Sequence, residues 1–278
     1  MGIRKWLAVV CMAWLGAPAH AGYTALYAFG DSLSDSGNLY NLVYALSGGT
    51  VQVPPPPYFQ GRASNGPVAV EYLAQALGLT AQPMILPDGS VNPLGSNFAL
   101  LGSATGPVAQ LNATWSNYMP FRYDPALPDW GMDFQVAAFA SYRGGVADPG
   151  ALYFLWGGAN DAYLALEDPD LDLEDQPTVG FVAQGAAGTA SDNLMNLVLA
   201  LAGMGARTFL VPNLPDLGLT PDALLGGYGT YYAWGLTTYT NHFNSGLSAK
   251  LAYLDALPGI DIIPFDVYGV FADLRASG

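Results

Sequence analysis

The stretch Ala25-Leu26-Tyr27-Ala28-Phe29-Gly30-Asp31-Ser32-Leu33-Ser34-Asp35-Ser36-Gly37-Asn38 decides the fold. Its first five residues, Ala25–Phe29, form an apolar run that predicts a buried strand. Small and polar residues follow at once, so the strand ends in a tight turn that presents Ser32 and its backbone N–H at the carboxyl edge of a sheet. In an open α/β sheet that edge is where ligands bind. A serine held there is placed like a nucleophile, and such a serine needs a base to take its proton. The chain holds two histidines, His20 and His242.

Working outward, strand-like and helix-like segments alternate. Pro67–Leu77 has helical spacing with a proline suited to its start, and Leu152–Trp156 is a short apolar run bounded by glycines. Ala190–Ala202 reads as an apolar helix ending near Gly203 and Gly205, Thr208–Val211 as a buried strand, Gly229–Leu254 as a segment holding a long helix, and Ile260–Ile263 as the last strand. Strands separated by helices imply crossover connections and a parallel sheet covered on both faces. The expectation is an α/β chain: a three-layer α/β/α sandwich with a doubly wound, mainly parallel sheet and no second domain. Between these elements, Val53–Tyr58 carries four consecutive prolines and reads as an extended surface connection, and Asn92–Ser96 as a turn. The acidic run Glu167–Asp175 lacks the glycine and spacing of a calcium-binding loop and reads as solvated.

The first residues suggest a destination. Arg4 and Lys5 precede the apolar stretch Trp6–Leu15, which leads to Ala19-His20-Ala21. Charge, a short hydrophobic core and an A-x-A site predict a secretory signal peptide over residues 1–21, with the folded domain over 22–278. The apolar core is too short for a membrane span, which takes about 20 residues. Cleavage would remove Cys11, so no disulfide would support the exported domain. Six basic residues would then face 22 acidic ones, a formal charge of −16. The six are scattered, which argues against nucleic acid as a partner.

Acyl transfer needs a nucleophile, donors for the oxyanion and a base. Ser32 supplies the first, and its own N–H part of the second. Asn97-Phe98-Ala99-Leu100-Leu101-Gly102 ends in a glycine, where backbone can approach a substrate closely. Trp156-Gly157-Gly158-Ala159-Asn160-Asp161 sets an asparagine amide just after a buried strand. Each feature alone is an ordinary turn; the three together, each following a strand of one sheet, point to one site.

These blocks resemble those of the GDSL-type, or SGNH, serine esterases and lipases, in particular their secreted lecithinase-like and hemolysin-like branch. Phe29–Asn38 resembles the nucleophile block with Ser32 in the serine's place. Asn97–Gly102 resembles the second block, which implies that the Gly102 N–H is an oxyanion donor. Gly158-Ala159-Asn160-Asp161 resembles the G-x-N-D block, which implies the same of the Asn160 side chain. Gly61–Pro67 and Val211–Gly218 also look like this branch, and the likeness runs from Ala25 to about Gly269. The resemblance implies a flavodoxin-like SGNH fold and hydrolysis of carboxylic esters through a Ser32 acyl-enzyme. The substrate would be a lipid, an acylated sugar or a short-chain ester, with no metal and no organic cofactor.

The family's last block, D-x-x-H, supplies the base and the aspartate that orients it. No D-x-x-H occurs in this sequence, and Gly269–Gly278 holds no histidine, so no general base is identified. His242, in Thr240-Asn241-His242-Phe243-Asn244, lies about a dozen residues into the predicted long helix, roughly 18 Å along it, and reads as a surface or capping histidine. Phe271-Ala272-Asp273-Leu274-Arg275 reads as a helix just beginning, and the expectation is a version of an ordinary esterase truncated at its C-terminus. The alternatives are a catalytically impaired relative or a secreted pseudoenzyme that binds an ester or glycan. A phosphate cradle at Gly30–Gly37 is disfavoured by Asp31, Asp35 and the absence of lysine there.

Overall fold

The computed structural model describes residues 22–107 and 130–277; the predicted signal peptide lies outside them. Four strands, β1 (Leu26–Gly30), β2 (Leu152–Trp156), β3 (Thr208–Pro212) and β4 (Asp261–Phe265), pair in parallel in the order β1-β2-β3-β4. A short stretch around Asn97 bridges to Ala28 on the free side of β1. Because that stretch precedes β2 in the chain, strand order reverses at β1, and the crevice between the β1 and β2 ends is the topological switch point.

The helices are α1 (Asn38–Leu46), α2 (Ala69–Ala76), α3 (Met132–Tyr142), α4 (Ala159–Leu166), α5 (Gln176–Met204), α6 (Pro221–Leu225), α7 (Tyr232–Asp255) and α8 (Val267–Ala276). The doubly wound α/β reading therefore stands. β1 and β2 are buried along their whole length, which is why they read as continuous apolar runs rather than alternating ones. Tyr27, Phe29, Tyr153, Leu155, Phe209 and Val211 share one core with α3, α5 and α7. Leu26, Ala28, Leu152, Phe154 and Trp156 form a second with Val70 and Ala74 of α2 and Val267 of α8.

The longest helix departs from expectation. α5 begins at Gln176, not near Ala190, because the glycines and small residues of Gly180–Ser191 mask a helical pattern in the sequence. In the fold they let α5 and α7 approach closely. Ala183, Ala187, Ala190 and Ser191 are buried, and a Cβ at Gly235 of α7 would lie 2.6 Å from Val179 Cγ1 and 3.2 Å from Leu166 Cδ1. The expected end is kept: Gly205 closes α5 in the left-handed conformation, as helix C-termini commonly do. Val53–Tyr58 is not wholly a surface connection, since Val53 is fully buried against Leu39, Val43, Leu100 and Leu101. Within Glu167–Asp175, Asp168 and Asp172 accept from the N–H groups of Asp170 and Glu174, as ordinary Asx turns do.

β4 is the most exposed strand. Ile262 is buried, while Phe265 is 50% exposed. Pro264, which has no N–H, sits in this edge strand, where proline is tolerated. On α8, Val267 is buried but Val270, Phe271 and Leu274 are exposed. No helix among the described residues is long and apolar enough to cross a membrane.

Adding bulk at the α5–α7 contact should cost stability. Gly235→Val is expected to lose about 1–3 kcal/mol through overpacking and to lower Tm by roughly 3–10 °C in a thermal melt followed by circular dichroism. An unchanged Tm would show that the two helices can part at no cost.

Candidate active site

The three predicted segments meet at one end of the sheet. Gly30, the last residue of β1, stands opposite Trp156, the last of β2. A Cβ on Gly30 would lie 2.3 Å from Trp156 O, so only glycine allows this approach. On the other side Leu100 N donates to Gly30 O at 3.0 Å. Ser32 follows Gly30 by two residues, Gly102 follows Leu100 by two, and Asn160 follows Trp156 by four. The structure thus brings Ser32, Gly102 and Asn160 to neighbouring turns at the switch point, although they are far apart in the chain.

Each turn is tied to the next. Asp35, 1% exposed, accepts from Gly37 N at 2.8 Å, Asn38 N at 2.6 Å and Leu39 N at 3.2 Å, and so caps the start of α1. Its Oδ2 also accepts from Leu101 N at 2.9 Å, beside Gly102. Burial raises the Asp35 carboxyl, and these four N–H donors oppose the shift. Asn97 Nδ2 donates to Ser34 O at 2.7 Å and to Ser36 Oγ at 2.9 Å, while Asn38 Nδ2 donates to Asn97 O and Ala99 O, each at 2.8 Å. The Ser32 turn and the Asn97–Gly102 segment are therefore stitched together from both sides.

Gly102 takes φ of +85°, a left-handed conformation that favours glycine. The next residue carries the link to the third turn: Asn160 Nδ2 donates to Ser103 O at 2.9 Å. A primary amide has two N–H bonds, so this contact orients the second. Asp161 accepts from Thr105 N at 3.0 Å and Thr105 Oγ1 at 2.6 Å, and Asn193 Nδ2 donates to that hydroxyl at 3.1 Å. From α7, Tyr239 Oη donates to Gly158 O at 2.7 Å, and the Phe243 ring lies 2.7 Å from where a Gly158 Cβ would stand.

Sequence reasoning missed the bracing roles of Asp35, Asp161 and Gln135. The first had a local signal, an acidic residue just before a helix start. The others act across 56 and 105 residues, respectively, on Thr105 and Gly30, and nothing local reveals them.

His242 is exposed on α7, with Nδ1 3.1 Å from Thr238 O in the preceding turn. Lys250 Nζ is engaged by Ser191 Oγ and Asp192. Neither stands at Ser32. Among the described residues, no group of three or more His, Cys, Asp or Glu could hold a metal ion.

Asp31, beside the serine, is 1% exposed. Its Oδ1 accepts from Leu33 N at 3.0 Å, and its Oδ2 has no partner among the described residues. Burial pushes this carboxyl up to about 7, and the nearby Asp161 carboxyl adds to the rise. Burial raises Asp161 as well.

The family model for the GDSL-like lipase/acylhydrolase matches residues 26–274. A phosphatidylcholine-sterol acyltransferase of Aeromonas hydrophila is 28% identical over 230 residues, covering 80% of this chain and 54% of that protein. A GDSL esterase/lipase of Arabidopsis thaliana is 29% identical over 312 residues, covering 98% and 81%. The esterase EstA of Pseudomonas aeruginosa is 30% identical over 279 residues, covering 96% and 39%. The chain spans between 24% and 54% of the length of the first relatives it matches.

The Asp31 carboxyl sets a pH dependence with a definite sign. Its folded pKa of about 7 lies above the ordinary 3.8, so the native state keeps a proton that the unfolded chain releases. Stability is then full below about pH 4 and declines as pH rises toward 7. Asp31→Asn should remove that decline, on the order of a few kcal/mol, measured as the difference between urea midpoints at pH 4.5 and pH 8. An identical difference in both proteins would refute the assignment.

Proposed function

This chain belongs to the GDSL-like lipase/acylhydrolase family, and we propose that it transfers the acyl group of a carboxylic ester to water through Ser32. One observation carries the reading: the turns holding Ser32, Gly102 and Asn160 leave adjacent strand ends and are hydrogen-bonded to one another through Gly30, Asp35 and Ser103. Donors for an oxyanion must lie within about 3 Å of the oxygen and be fixed before it forms. The bracing supports that preorganisation.

In the proposed reaction Ser32 Oγ attacks the ester carbonyl carbon. The electron pair shifts to the carbonyl oxygen, which the Ser32 N–H, the Gly102 N–H and the Asn160 amide stabilise. The pair then returns, the carbon–alkoxy bond breaks, and the alcohol departs with a proton. Water attacks the acyl-Ser32 carbon through the same oxyanion, releasing the acid and restoring the serine. The serine proton needs an acceptor. His242 is turned into its own helix, so the described residues contribute the nucleophile and the oxyanion donors.

The substrate class we propose is a lipid, an acylated sugar or a short-chain ester. The strongly acidic composition supports a neutral or zwitterionic molecule over an anionic one. Export is proposed as well, supported by the leader-like pattern of Met1–Ala21.

The test is hydrolysis of 4-nitrophenyl butyrate by the purified chain. Turnover of roughly 10³-fold over water is expected from the oxyanion donors and binding alone, and an acyl adduct on Ser32, identified by peptide mass, should be absent from Ser32→Ala. Asn160→Ala should lower turnover by about 10²–10³-fold, into the background. Hydrolysis with no acyl adduct on Ser32 would refute the proposal, and ester binding without any turnover would favour a binding protein.

A further inference from the structure

We propose that Gln135 of α3 is a positioning residue for the nucleophile and the oxyanion donors. The proposal rests on the acyl-transfer reading above. Gln135 is 3% exposed, on a helix whose other buried residues are Met132, Val136 and Phe139. An amide placed there must be fully bonded, because an unpaired buried polar group costs about 1–3 kcal/mol.

Its bonds go to the site. Gly30 N donates to Gln135 Oε1 at 2.8 Å, and Gln135 Nε2 donates to Gly30 O at 2.8 Å and to Ser103 Oγ at 3.0 Å. A side-chain amide thus grips both backbone polar groups of Gly30, the residue that ends β1. Along this side of β1 the ladder runs Ala28 N to Ser96 O, Phe98 N to Ala28 O and Leu100 N to Gly30 O. By that register the next donor, Gly30 N, would be paired with Phe98 O. Gln135 takes that pairing instead, so the rung just inside the final Leu100 N–Gly30 O bond is held by a side chain from a helix 105 residues away.

The contact to Ser103 extends the grip. Ser103 Oγ gives its own proton to Trp130 O at 2.6 Å, so it can only accept from Gln135. The same serine's carbonyl receives the Asn160 amide, and its amide nitrogen adjoins Gly102. One side chain therefore fixes the strand end two residues before Ser32, the residue after Gly102, and through it the partner of Asn160. Both Nε2 hydrogens and Oε1 of Gln135 are engaged by Gly30 and Ser103. Removing them should misplace the reacting groups while leaving substrate affinity unchanged, and a displacement near 1 Å can cost about 100-fold in rate.

The experiment reads phosphonylation of Ser32 by ethyl 4-nitrophenyl methylphosphonate in the full chain: the Oγ–P bond forms as the P–O bond to 4-nitrophenoxide breaks, and the modified residue is identified by peptide mass. Gln135→Met keeps the volume and loses the bonds; its limiting rate should fall roughly 10–100-fold with half-saturation changed less than threefold. Gln135→Glu supplies a sharper readout. Protonated, a glutamic acid keeps one donor for Gly30 O and an acceptor for Gly30 N and loses only the bond to Ser103 Oγ; ionised, it faces Gly30 O with no donor. Burial raises its pKa, so the rate of Gln135→Glu relative to the unmodified chain should rise at least tenfold from pH 8 to pH 5.5. A filler of space would show no such trend. A flat ratio across pH, or a folded Gln135→Met reacting at the unmodified rate, would overturn the role of Gln135 alone. An unreactive Ser32 in the unmodified chain would overturn the acyl-transfer reading and this role with it.

Discussion

The buried carboxylate of Asp35 holds the rest of the site in register. It replaces water with four backbone N–H donors, three from the start of α1 and one from Leu101. Three of those donors would otherwise be orphans of a helix N-terminus, and the field there favours a negative charge. The fourth belongs to the segment that carries Gly102. One group thus meets the needs of α1, of the Ser32 turn and of the neighbouring segment at once, and none can shift without unpairing it.

Around that anchor the site is built from buried polar groups that bond to other protein groups. Asn38, Asn97, Gln135 and Asp161 each join segments distant in the chain. Such networks carry high stakes: satisfied they fix geometry, and broken they leave polar atoms stranded in a low-dielectric interior. Asp31 Oδ2 and Ser34 Oγ differ: neither has a partner among the described residues. The Asp31 pKa is lifted to about 7, so a strained electrostatic environment lies directly beside Ser32. Perturbed groups of this kind concentrate at functional sites.

The scaffold beneath is conventional in its physics. Aromatic rings of β1, β2 and α3 pack edge-to-face and stacked, as Tyr27 does with Phe139 at 5.1 Å and with Tyr153 at 5.5 Å. Small residues bring α5 and α7 together beneath the turn at Gly158, where Tyr239 and Phe243 support it from α7. Helix packing and site geometry are thereby linked, since the same α7 face serves both.

The sequence by itself determined the strands and the turns that follow them. Apolar runs bounded by glycine have one stable fate in a doubly covered sheet, and Leu152–Trp156 appears with the bounds read from it. It also marked Ser32, Gly102 and Asn160, because turn residues after strands carry their signal in a few adjacent letters. Only the tertiary structure decided the start of α5, where glycines weaken the local helical signal and packing against α7 outweighs it. It alone decided which side chains hold the three turns. Gln135 bonds Gly30 across 105 residues and Asp161 bonds Thr105 across 56, and a single buried amide or carboxylate has no periodicity to betray it. Strand signals are local because a strand covered on both faces is apolar at consecutive residues; bracing is nonlocal because its partners are chosen by the fold.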